Sequence, residues 1–417
     1  MQKEQFDSRY RIPPARADNP GLRRRSEFIV SQQAELQRQI SRRPANIAYF
    51  EKVLAGPPAT DAPLVGHFCN MVPVEIVEAL GARAVRLCCG NAALVQSGEE
   101  VFAGEICPLT KSSFGAFLDA ENAVNRCAAV ILPTSCDAKR KLGEVLADYA
   151  PTFMLNLPPE QDADRYADAM AAELERMTKF LSKVLGRRLS RRRLVDAIEL
   201  GRRRTALVRR LQEVRAARPA ALSIRDAHLI IQASLAGADL AEWLGEAQKV
   251  LAEVEAFEPE RRRLRPRMVL TGAPIIWPNF KLLNLIEEAG ADVVADTLCT
   301  GFQCCFDAVQ YDETSRRALL RALASRYVFG SACPCFVSQG TRISRVLELV
   351  EEFRADGVIN YALRLCQLFD LEAYRLARVM RDKKIPFATV RTDYSLEDTE
   401  QLRVRLEAFL ETVGEPQ

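Results

Sequence analysis

The sequence predicts an α/β protein with two doubly wound, flavodoxin- or Rossmann-like parallel-sheet domains related by internal duplication, plus N-terminal and inserted helices. Three observations predict it. The stretch from Leu64, LVGHFCNMVPVEIVEALGARAVRLCCG, and that from Met268, MVLTGAPIIWPNFKLLNLIEEAGADVVADTLCTG, follow one plan. Each has an apolar run, a Gly, a loop with Pro, a helical pattern ending at Ala-Gly or Leu-Gly-Ala, then a second apolar run closing on Cys and Gly. Around both, short apolar runs alternate with helical periodicity, as parallel strands joined by crossover helices do. Between them, residues 160 to 263 carry almost only helix signals.

Taken in order, residues 1–60 form an N-terminal arm. Its first 20 or so residues are rich in Pro and charge, and Leu22 to Leu54 is polar and helical with sparse apolar points at Phe28, Ile29, Leu36 and Ile40. A break at Gly56-Pro57-Pro58 leads into the first α/β domain, 61–159, whose strands are PLVGHF, AVRLC, AAVILP and TFMLNLP. The insertion, 160–263, places Leu174, Met177, Phe180, Leu181, Val184 and Leu185 at three- and four-residue spacings. It also carries Arg187, Arg188, Arg191 to Arg193 and Arg202 to Arg204. A solvated face of long helices accounts for these; a docking surface for an acidic partner or a phosphate-bearing substrate is the alternative. The second α/β domain, 264–417, has strands RMVLTG, DVVADTL, GVINYAL and PFATVRTDY and ends in an amphipathic helix, TEQLRVRLEAFLETV.

The chemistry lies in the cysteines. Twelve accompany only two histidines. Cys107-Pro108 answers Cys333-Pro334, each followed by a helical segment and an apolar strand, AAVILPTSC to Cys136 and GVINYALRLC to Cys366. With the cysteines that close each second strand, this gives two triads, Cys89/Cys107/Cys136 and Cys299/Cys333/Cys366. All six fall after strands or ahead of helices, so they belong at the carboxyl edge of their sheets, where open α/β folds bind ligands. Thiolate is a soft ligand that selects iron-sulfur clusters, zinc or copper(I). Helix N-termini at the same edge favour the negative charge of a thiolate-ligated cluster. Three thiols are one short of the four usual for a cubane. The vacancy can take substrate, water or a sulfide bridge to a second cubane. Cys69, Cys88 and Cys127 read as small buried hydrophobes. Cys304, Cys305 and Cys335 adjoin proposed ligands, and any of them is an alternative to Cys299 or Cys333. Zinc fits less well, because no CxxC pair is present. His67 and His228 are too few for a His-based centre; His67, near Cys69, is either structural or a proton donor to the cleft.

Bulk properties exclude other classes. Over 417 residues the net charge is only +3, which argues against nucleic-acid or membrane binding. No apolar run approaches the roughly 18 residues of a membrane span, and the N-terminus lacks the apolar core of a signal peptide. The chain is therefore expected in the cytoplasm, where clustered cysteines mean metal or catalysis more than disulfides. No GxxxxGK[ST] loop occurs, so any use of ATP must come from a partner.

The segments PVEIVEALGARAVRL, PTSCDAKRKLGEVL, VVADTLCTGF and the stretch from NYALRLC to LEAFLE resemble the 2-hydroxyacyl-CoA dehydratase and benzoyl-CoA reductase superfamily. The resemblance runs from about residue 45 to the end. It implies an oxygen-sensitive iron-sulfur protein that receives low-potential electrons from a separate ATP-hydrolysing iron-sulfur activator. In dehydratase subunits three cysteines hold one 4Fe–4S cubane, and these carry over onto Cys107, Cys136 and Cys366. The further cysteines Cys89, Cys299 and Cys333 are similar to the double-cubane cluster proteins, homodimers with an 8Fe–9S unit in each chain. That likeness implies an oxidoreductase acting on small molecules such as acetylene, azide or hydrazine. The alternative is a dehydratase subunit with one cubane, a CoA thioester substrate and a heterodimeric partner.

Overall fold

Eight strands in two sheets organise the chain in the computed structural model, which describes residues 43–56, 60–102, 104–118, 126–258, 265–337 and 340–414. Most of the N-terminal arm lies outside the described residues; within them α1 (Ile47–Ala55) forms the end of the expected helical stretch.

The first sheet is built from β1 (Leu64–His67), α2 (Val74–Ala79), β2 (Arg83–Arg86), α3 (Ala92–Glu99), α4 (Pro108–Leu118), β3 (Ala129–Pro133), α5 (Asp137–Leu146) and β4 (Thr152–Leu155). Four long helices follow: α6 (Ala163–Leu185), α7 (Arg191–Ala217), α8 (Ile224–Ala233) and α9 (Leu240–Glu255). The second sheet uses β5 (Arg267–Gly272), α10 (Lys281–Glu288), β6 (Asp292–Asp296), α11 (Arg316–Ala324), α12 (Gly340–Glu352), β7 (Gly357–Leu363), α13 (Gln367–Asp382), β8 (Phe387–Thr392) and α14 (Thr399–Gly414). The sheet orders are β2-β1-β3-β4 and β6-β5-β7-β8. Every pairing between these strands is parallel. One strand order thus occurs twice, and each expected strand overlaps an observed one, β2 starting one residue before and ending two residues short of the expected AVRLC.

Both faces of each sheet are covered, as parallel sheets require. Val65, Ala129 and Ile131 point into one core with α2, while Val85, Val130 and Leu132 point into another. In the second sheet Met268, Leu270 and Ile359 alternate with Val269 and Val358 in the same way. The insertion joins the halves. Leu174, Met177 and Leu181 of α6 and Leu194 and Ile198 of α7 pack on the first sheet's core. Farther along the 27 residues of α7, Leu207, Val208 and Leu211 enter the core of the second sheet. At about 1.5 Å per residue, that one helix is long enough to span both halves.

The insertion's arginines divide. Arg191, Arg192 and Arg193 are exposed, the solvated face that the pattern allows. Arg187 instead donates to the Gly81 carbonyl, Arg202 to the Val309 carbonyl at 2.7 Å, and Arg204 is buried. The first two tie the helices to a loop of each half.

Candidate metal centre

In both sheets the order of strand addition reverses between the two central strands, β1 and β3 in one and β5 and β7 in the other. Crevices form outside the carboxyl ends at such switch points. Here the two crevices share one cavity of about 580 Å³. Its walls are Cys69 to Met71 after β1, Thr134 to Cys136 after β3, Gly272 to Pro274 after β5, and Leu363, Leu365 and Cys366 after β7. The turn after β5 needs glycine: Gly272 has φ +128°, and a Cβ there would lie 2.0 Å from the Tyr361 carbonyl oxygen.

Seven cysteines line the cavity: Cys69, Cys107, Cys136, Cys299, Cys333, Cys335 and Cys366. Five of these are sequence candidates. The sixth candidate, Cys89, is not among the lining residues; its backbone N–H donates to Ser113 Oγ at 3.1 Å. The adjacent Gly90 is pressed against the other half, where a Cβ would stand 2.1 Å from the Ile276 carbonyl oxygen. Cys69 and Cys335 are the additions. Cys69 is not simply a core filler: it turns at φ +66° at the end of β1 and faces the cavity. Proximity of Cys335 to Cys333 in a CxC step was the available signal. For Cys69 the signal was its place one loop beyond the first strand. Cys127 does behave as core, its thiol pushed up to about 12 by burial. Cys304 and Cys305 are buried with their sulfurs 3.5 Å apart, outside the lining.

Three thiols stand at three helix starts. Cys136 and Cys366 are the N-cap residues of α5 and α13, and Cys107 immediately precedes Pro108 of α4. Each sulfur accepts from its own first turn: Cys107 from the Leu109 and Thr110 amides, Cys136 from Lys139, and Cys366 from Phe369 and Leu368. Pro108 has no N–H, so the first amides the helix offers to the sulfur are those of the next two residues, Leu109 and Thr110. Cys107 and Cys366 also hydrogen-bond to each other. That contact, with burial, raises the Cys107 thiol well above its ordinary range, while the proton it offers holds Cys366 down to about 7. Burial raises Cys136 against the pull of the Lys139 ammonium.

On the opposite wall, burial pushes Cys299 up to about 12. A hydrogen bond with Cys335 and burial raise Cys333 well above the ordinary range. Burial acts on Cys69 in the same direction, yet Lys139, Arg86 and the Asn70 and Met71 amides bring it below its usual value. Arg86 clamps this wall, donating to the Cys299 carbonyl at 2.8 Å and the Cys69 carbonyl at 3.1 Å. Arg342, 1% exposed, donates to Thr271 Oγ1 and pairs with Glu372.

Neither histidine belongs to the lining. Burial drives His67 down to about 3, a neutral imidazole. His228 Nε2 lies 3.0 Å from Asp296 Oδ2. Among the described residues no three His, Cys, Asp or Glu side chains converge as a single ion requires. A cubane makes a different demand, with each thiolate bound to its own iron at a separate corner. The donor set here, soft sulfurs at positive helix ends around a shared cavity, fits that demand.

A duplicated α/β fold with thiols from both lobes around one cleft defines a candidate thiolate metalloprotein. Its family follows from sequence comparison. The model of the 2-hydroxyglutaryl-CoA dehydratase D-component matches residues 69–413, and the chain belongs to that family, within the 2-hydroxyacyl-CoA dehydratase and benzoyl-CoA reductase superfamily. YjiM of Escherichia coli (strain K12), provisionally named a dehydratase subunit, is 31% identical over 84% of this chain and 91% of its own. The beta subunit of (R)-2-hydroxyglutaryl-CoA dehydratase from Acidaminococcus fermentans is 22% identical, covering 88% and 99%. A subunit of benzoyl-CoA reductase from Thauera aromatica is 21% identical, covering 84% and 90%. The relatives are dehydratase and reductase subunits, so this chain has an enzyme-related role. No described helix is long and apolar enough to cross a membrane.

Proposed function

We propose that the chain is the iron-sulfur component of an enzyme of the 2-hydroxyacyl-CoA dehydratase and benzoyl-CoA reductase type, with a 4Fe–4S cubane held by Cys107, Cys136 and Cys366. The observation that carries this reading is the meeting of three thiols, each at a helix start and each accepting its own helix's amides, in one cavity. When bound, the cluster supplies one-electron transfer at low potential. The protein's part is to bind, orient and shield. Amides at the three sulfurs favour the charged state that accepts metal and raise the potential of whatever is bound there. Leu109, Leu363 and Phe369 line the wall beside them with apolar surface that limits water. With no phosphate-cradling GxxxxGK[ST] loop in the sequence, the electron is assigned to an ATP-hydrolysing iron-sulfur activator that docks from outside, and an acyl-CoA thioester is the substrate class.

A second reading rests on a separate observation. Cys69, Cys299, Cys333 and Cys335 line the same cavity opposite the first set. They are enough thiols for a second cubane, sulfide-bridged to the first as an 8Fe–9S unit in each chain of a homodimer. On that reading the protein is an oxidoreductase for small molecules such as acetylene, azide or hydrazine, and Cys69 takes the place that the repeat assigns to Cys89. Iron and acid-labile sulfide, measured on anaerobically purified protein, separate the two. About four irons per chain support the single cubane, and about eight support the double one. Protein that holds no iron after anaerobic purification and reconstitution refutes both.

A further inference from the structure

Among the described residues four cationic side chains line the cavity: Lys139, Arg140, Lys141 and Arg342. Three are committed to carboxylates. Arg140 pairs with Asp137 at 3.4 Å, Lys141 with Glu144 at 2.7 Å and Arg342 with Glu372 at 2.5 Å. The charges that face Lys139 are thiols, first Cys69, then Cys136, Cys88 and Cys333. Its position is specific. Lys139 sits in the first turn of α5, and its backbone N–H reaches the Cys136 sulfur. Its side chain lines the same cavity as Cys69 and Cys333 of the other wall, and the sulfurs of Cys69, Cys136, Cys88 and Cys333 hold its ammonium in the charged state. One residue therefore addresses both sets of thiols.

A half-buried cation on a cavity wall otherwise rich in sulfur complements the negative charge of an anionic occupant. We propose that Lys139 is the positioning residue that balances the charge of the cavity's occupant and thereby sets its reduction potential. Each added electron makes a thiolate-ligated cluster more negative, so a fixed ammonium stabilises the reduced state more than the oxidised one. The inference rests on the iron-sulfur reading above and adds to it a residue outside the ligand set.

Lys139→Met and Lys139→Arg, purified anaerobically beside the unmodified protein, test this by iron analysis and by redox titration followed by absorbance and electron paramagnetic resonance. The expected result is unchanged iron per chain in both variants and a more negative midpoint in Lys139→Met. At a fixed potential the reduced-to-oxidised ratio should fall about tenfold, about 59 mV for one electron. Lys139→Arg should restore most of it. A native midpoint in an iron-replete Lys139→Met protein overturns the proposal. So does iron loss in both variants, which would make Lys139 part of site assembly. Absence of iron from the unmodified protein would instead refute the cluster reading itself.

Discussion

Cysteine is ambiguous one residue at a time, since the same side chain fills cores and binds metal. Position at a helix start sets Cys107, Cys136 and Cys366 apart as the proposed ligands, because first-turn amides favour a thiolate there. Serine cannot supply a soft donor, so Cys107→Ser, Cys136→Ser and Cys366→Ser should each cut iron per chain by at least half. Cys127→Ser should leave it unchanged, because Cys127 lies in the core among Phe68, Val85 and Phe117. Comparing Cys69→Ser with Cys89→Ser tests the reassignment. If the second cubane exists, iron falls in the first and holds in the second. The repeat alone pointed to Cys89, because it and Cys299 each follow the end of a second strand by three residues. What breaks the equivalence is the loop from Cys88 to Gly90, held by Ser113 and by the second half's Trp277 carbonyl. No spacing rule encodes that contact.

Among the elements, the loop leaving β6 places Cys299 without a helix start at the thiol. Asp296, fully buried, organises it: its carboxylate accepts the Leu298 amide at 2.9 Å and the Phe302 amide at 3.1 Å and meets His228 from α8. Gly301 is required beside this knot, since a Cβ would fall 2.5 Å from both Asp296 Oδ1 and His228 Cε1. Asp296→Ala strands two amides and an imidazole in the interior and should cost about 3 kcal/mol or more. Asp296→Asn keeps an acceptor for the amides and should cost less. Thermal unfolding of the two variants checks the order; equal losses would mean the carboxylate's charge, not its acceptors, holds the loop. Strands and helices were legible from periodicity. This clamp was not, because its partners, His228 and Asp296, are far apart in the chain.

For the molecule as a whole, the decisive feature is the insertion, whose α7 packs into the cores of both sheets. Its seam on the second half contains Glu287, which accepts the Ile224 amide at 2.7 Å where α8 begins. Burial pushes this carboxyl from 4.5 to about 7, against the pull of that amide and of Arg215. Between those values the folded chain keeps a proton that the unfolded chain has lost. Stability therefore declines as pH rises through that window, by at most about 1.4 kcal/mol for each pH step of one, and levels above about 7. Glu287→Gln removes the titration while keeping the acceptor. Its stability relative to the unmodified protein should grow between pH 5 and pH 8 in denaturant titrations. Parallel curves for the two proteins would show that Glu287 does not titrate in this range.

The amino-acid sequence by itself determined the eight strands, the repeated architecture and the placing of thiols at strand ends and helix starts. These depend on local periodicity, turn chemistry and the order of segments along the chain. Which thiols share a cavity, and that a lysine lines it with them, only the tertiary structure decided. That outcome depends on how two covered sheets are turned toward each other by α7 and by loops that meet across the seam. Such contacts join residues far apart in sequence, where spacing carries no information about direction.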